Sequence, residues 1–158
     1  MALPDSAYVM LDYLKSAPAA AAVRAFVTDV SYIREAGDMT GNDLTSSESL
    51  RINGGDPELV LGITVQDDGE EPELGRYIFR QNICVRVLDR RQGYANIREA
   101  RNLIKEVFSV PVIFDFNGKR GMLALQYGGR SGYQFDDGFF TDFEVINYSA
   151  VIEEVDQD

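Results

Sequence analysis

Asp136 and Asp137 are the first residues whose types and placement suggest chemistry, because two carboxylates held together can divide acid and base roles between them. They lie in GGRSGYQFDDGF, residues 128–139, beside Tyr133 and Phe135. Adjacent residues on a loop or strand point apart, so the pair makes no acid/base couple by itself. A turn at Gly138 is the simpler account. A second acidic group, Asp67, Asp68, Glu70 and Glu71, stands in QDDGEEPEL, residues 66–74. It lacks the alternating ligand spacing that a calcium loop demands. Gly118-Lys119-Arg120-Gly121 matches the GXXG pattern of a KH loop, but that loop joins two helices and strand-like runs flank this one. No Gly-Lys-Ser/Thr follows a glycine-rich run, so there is no P-loop.

Composition narrows the chemistry further. The chain has no histidine and one cysteine, Cys84. That excludes Ser-His-Asp and Cys-His nucleophile systems, His-ligated metals, zinc ribbons, iron–sulfur sites and an internal disulfide. Carboxylates, tyrosines and lysines remain, a thin inventory for catalysis, so the expectation is a non-enzymatic protein that uses no cofactor. The net charge of −11 opposes nucleic-acid binding by phosphate neutralisation. At 158 residues the chain is expected to form one domain with a real core. It shows no apolar run long enough to span a bilayer and no signal-like start, so it is expected to stay in the compartment where it is made.

These residues must be positioned by elements, and residues 75–110, GRYIFRQNICVRVLDRRQGYANIREARNLIKEVFSV, organise the rest. Tyr77, Phe79, Ile83, Val85 and Val87 alternate as one face of a strand, with Arg80, Asn82, Arg86 and Arg90 on the other. From Tyr94 the apolar spacing turns helical: Ile97, Ala100, Leu103, Ile104, Val107 and Phe108. Arg76 to Lys105 holds eight Lys and Arg against Asp89 and Glu99, a window charge of +6 in a chain whose remainder carries −17. Arg98, Arg101 and Lys105, at i, i+3 and i+7, form a basic stripe along one flank of the helix, with Arg86 or Arg90 nearby. Such a stripe is either a solvated face or a subunit interface that meets an acidic face of a neighbour.

In chain order, residues 5–26 read as two helical pieces, with Asp5 or Ser6 as cap and Pro18 restarting the second. A strand is expected over 27–33 and a loop over 36–49; Leu50 to Ile52 and Leu59 to Val65 are strand-like. The run 66–74 reads as an exposed, mobile connection that serves as a partner-binding loop through Asp67, Asp68, Glu70 and Glu71. Asn117-Gly118 between apolar runs marks a type I′ hairpin. Residues 128–139 read as a glycine-rich loop offering Tyr133, Phe135, Asp136 and Asp137 to a partner. A last strand runs from Phe140 to Ile152, followed by a frayed acidic tail, 153–158. The fold class is α+β: a mainly antiparallel sheet of about five to six strands, an N-terminal helical segment, and one amphipathic helix on one face.

This element order, with QNICVRVLDRRQGYANIREARNLIKEVF and the opening LDYLKSAPAAAAVRAFV, resembles the tail terminator (tail completion) proteins of long-tailed bacteriophages. The resemblance implies a homohexameric ring that closes the tail tube and joins it to the head connector in the virion, with no active site. Its implied partners are other copies of the chain, the tail tube protein and the connector (stopper) protein. DNA passes through its lumen without specific binding. Two other readings stand beside it. One is a neck or head-completion protein of the same virion. The other is a soluble ligand-binding or enzyme-accessory domain that uses Tyr133 to Phe140 as a pocket wall.

Overall fold

The computed structural model describes residues 4–27, 33–35, 61–72, 79–89, 94–136 and 141–155. Helix α1 spans Ser6–Ser16; the Asp5 carboxylate accepts from the Ala7 N–H at 2.8 Å and caps it. Its Val9, Met10 and Leu14 are buried. A 3₁₀ turn at Pro18–Ala20 leads into α2, Ala21–Phe26. From α2 the Arg24 guanidinium donates to the Leu14 carbonyl at 2.9 Å, satisfying an acceptor that the end of α1 leaves open.

The strands are β1 (Ile33–Glu35), β2 (Leu61–Pro72), β3 (Phe79–Asp89), β4 (Val112–Phe116), β5 (Lys119–Arg130), β6 (Gln134–Asp136) and β7 (Thr141–Val155), with α3 (Ala95–Val107) between β3 and β4. They form one curled sheet in the order β1-β2-β3-β7-β5-β4, and β6 also pairs with β7. Among the described residues only β1 and β2 run parallel, and all other pairings are antiparallel. The α+β class with a mainly antiparallel sheet therefore holds. Ile83, Val85 and Val87 of β3 and Ile146, Tyr148 and Ala150 of β7 are buried on the face that α1 and α3 cover. They meet Ile97, Ala100 and Ile104 of α3 and Met10 and Leu14 of α1 in one core. The period-2 and period-3.6 patterns thus meet across a single layer boundary.

Three expectations need correction. The run 66–74 is a strand as far as Pro72, not a connection: β2 stays paired with β3 from Leu61↔Asp89 to Pro72↔Phe79, with one irregularity between Asp67 and Glu70. Gly69, at φ +101°, sits in that bulge. Hydrogen bonding to β3 satisfies the backbone there without apolar side chains, which is why charge density misled. Of the glycine-rich run 128–139, the described residues 128–136 are also mainly strand, because β5 continues through Arg130 and β6 resumes at Gln134. Finally, β7 extends to Val155, opposite Arg120, into the stretch read as a frayed tail. The expected elements at 28–32 and 36–60 lie outside the described residues.

The hairpin at Asn117-Gly118 matches its expectation: Phe116 pairs with Lys119, and the two loop residues take φ of 46° and 76°. No side chain or backbone crowds the Cβ position of Gly118, so a substitution there meets backbone strain alone. Gly118→Val is expected to cost about 1–2 kcal/mol, since a β-branched residue at positive φ is disfavoured by its own backbone. A thermal melt measures this; an unshifted midpoint would remove the turn argument. Gly121 has a different role. Its cross-strand partner Phe114 lays its ring where a Cβ would stand, so any side chain at Gly121 would displace that ring.

Candidate functional site: the cationic and aromatic flank of α3 and β5

Helix α3 presents Ile97, Ala100, Ile104 and Val107 to the sheet, packing on β3 and β7, and its Lys105 flank reaches Tyr127 of β5. On that flank Arg98 and Lys105 are exposed, while Arg101 is drawn inward. Its side chain is only 11% exposed and donates to both oxygens of Glu144, at 3.0 and 3.3 Å. Glu144 is fully buried on β7, in phase with Ile146 and Tyr148 beneath α3. A second guanidinium, Arg130 at the end of β5, donates to the Oε2 of Glu144. Removing a carboxylate from water costs several kcal/mol, and two charge-assisted partners offset it. Burial by itself would lower the Arg101 pKa. Hydrogen bonding to Glu144 and to Tyr133, with their charges, outweighs burial and holds the guanidinium above its ordinary range.

This three-residue bridge ties α3 to β7 and to the end of β5, where the chain turns toward β6. Gly129 (φ 107°) and Gly132 (φ 80°) let the backbone turn there. The Ser131 N–H and hydroxyl bond to the Val145 carbonyl and N–H, at 2.8 and 3.0 Å. Tyr133 then stacks on Tyr94, centroids 4.4 Å apart and planes 18° apart, with the Arg130 guanidinium 5.3 Å from its ring. One turn along α3 from Arg101, the Lys105 ammonium lies 4.1 Å over the ring of Tyr127. Tyr127 is 38% exposed, Tyr133 37% and Phe135 41%. The flank therefore displays aromatic rings already braced by cations, the composition of the energetic centres of protein interfaces.

The residues singled out by sequence disperse over the molecule. Arg98, Lys105 and Tyr133 share this flank, and Phe135 lies beside it on β6. Arg101 leaves the exposed stripe for Glu144. Arg86 is not near the stripe at all: lying between buried Val85 and Val87, it points to the opposite face of the sheet, 5.3 Å over the ring of Phe143. Asp67, Asp68, Glu70 and Glu71 belong to β2, across the sheet from β5. Asp136 ends β6 opposite Thr141, while Arg90 and Asp137 lie outside the described residues. An apolar crevice of about 280 Å³ opens between α2 and α3, lined by Ala19, Ala22, Leu103, Glu106, Val107 and Val110; Tyr133 takes no part in it.

Sequence reasoning passed over Glu144 and Arg130. The signal for Glu144 was present, since it is a charged residue in phase with the even-numbered apolar positions Ile146, Tyr148 and Ala150 of β7. Asp89 and Asp142 are likewise buried at paired positions of β3 and β7, and Asn96 donates to Asp89 at 3.3 Å. Among the described residues no group of three or more Cys, Asp or Glu is placed to hold a metal ion. No helix among them is long and apolar enough to cross a membrane. No family model, curated protein or solved structure matches the chain.

Proposed function

We propose that this chain is a non-enzymatic virion structural protein, the subunit of a ring that ends a phage tail tube and joins it to the head connector. The resemblance in element order motivates this reading. The observation that carries it is the α3–β5 flank, where exposed Arg98 and Lys105 sit with Tyr127 and Tyr133 on a rigid scaffold. A flank of that composition suits contact with protein. A ring repeats one contact around the tube axis, so many weak contacts engage together and avidity replaces individual affinity. The ring's other partners are the tail tube protein on one face and the connector protein on the other, with DNA sliding through the lumen. The net charge of −11 suits such passage, since like charge repels phosphate.

Deletion of the gene, followed by electron microscopy of the lysate, tests this. Overlong or unjoined tails beside filled heads are expected. Normal tails on heads that leak DNA would move the assignment to a neck or head-completion protein. Intact infectious particles would reject both.

A further inference from the structure

We infer that the α3–β5 flank is occupied by the carboxylate run Asp67–Glu71, on β2 of a second copy of this chain. The inference rests on the self-assembly proposed above and adds which face meets which. The sheet order sets β2 and β5 on opposite sides of the central β3–β7 pair. Ladder partners trace two rows across it: Asp67, Ile83, Tyr148, Tyr127, and Glu70, Gln81, Ala150, Leu125. The backbone of residues 67–70 therefore lies at the same level along the strands as Tyr127, the ring beneath Lys105. Copies set side by side in one orientation bring these two levels together. The contact joins two different faces, so it is heterologous and propagates head to tail, as a ring requires.

Charge selects the occupant. The run places four carboxylates within five residues, and the flank offers exposed Arg98 and Lys105 beside two guanidiniums that share the single carboxylate of Glu144. Complementary potentials of this kind steer encounter and fix which faces pair. A nucleic acid is the competing polyanion, but a chain of net charge −11 repels it at long range.

Carbodiimide coupling joins a lysine to a carboxylate in direct contact, and Lys15, Lys105 and Lys119 are the lysines of the chain. An equal mixture of ¹⁴N- and ¹⁵N-labelled protein should yield mixed-isotope peptides linking Lys105 to residues 67–71. Lys105→Glu should abolish the oligomer seen by light scattering, and adding Asp67→Lys and Glu70→Lys should restore it. Oligomers whose intermolecular links involve only Lys15 or Lys119, or that survive Lys105→Glu, would overturn this pairing while leaving the ring reading intact. A chain that stays monomeric over its soluble range, or a DNA duplex bound through Lys105 at physiological salt, would overturn the second copy as occupant. The tail-terminator reading is judged separately, by the lysate.

Discussion

An Arg101→Met chain is expected to be about 3 kcal/mol less stable than the parent, because the change leaves a buried carboxylate with half of its partners. Glu144 is fully buried, and Arg101, 11% exposed, contacts both of its oxygens. Methionine fills much of the arginine stem's volume, so the loss is electrostatic rather than a cavity. Arg130→Met should cost less. Its side chain is 40% exposed, so water screens that half of the bridge. The double change Arg101→Met with Glu144→Leu should regain most of the loss, since an apolar pair of similar size needs no desolvation. Urea unfolding of the four proteins reads all of this. A single Arg101→Met variant within about 1 kcal/mol of the parent would mean that Arg130 alone satisfies Glu144.

That bridge also marks the boundary of what the sequence discloses. Apolar periodicity assigned Ile83, Val85 and Val87 to one strand face and Ile97, Ala100, Ile104 and Val107 to one helix face, and all seven are buried. Asn117-Gly118 specified its turn, because positive φ at two successive positions is a local requirement. The failures have non-local causes. Arg101 looked like a member of an exposed stripe, since a helical wheel reports angle and not what stands opposite; its partner lies 43 residues away on β7. Arg86 sits close in sequence to the stripe, yet the pleat turns it to the other face. Asp67 to Glu71 read as loop because strands are expected to carry apolar residues. A strand near the sheet margin needs only its backbone paired, and β3 supplies that. What assembles the flank is the register of β5 on β7, which brings Arg130 near Glu144 and Tyr127 beside Tyr148. No local pattern encodes that register.

Tyr148→Phe is expected to remove an alkaline instability at no cost near neutral pH. The Tyr148 side chain is 3% exposed, and its hydroxyl finds no hydrogen-bond partner among the described residues. A buried hydroxyl without a partner costs about 1 kcal/mol or more, so the phenylalanine chain should be as stable as the parent or better at pH 7. Its ring contacts survive the change, edge-on to Phe108 at 6.0 Å and to Tyr127 at 5.9 Å. Burial pushes the Tyr148 phenol well above its usual range, and Coulombic repulsion from the neighbouring Tyr127 adds to this. Above about pH 10 the unfolded phenol releases its proton while the folded one retains it. The folded state then binds more protons, so the contribution is complete below pH 10 and falls away as pH rises, by roughly 1.4 kcal/mol per pH unit. The stability difference between variant and parent should therefore widen from pH 10 upward, reaching roughly 2–3 kcal/mol by pH 12. Denaturant melts at pH 7, 10, 11 and 12 follow it directly. Curves that fall in parallel would place the titrating group elsewhere and leave Tyr148 a neutral element of the core.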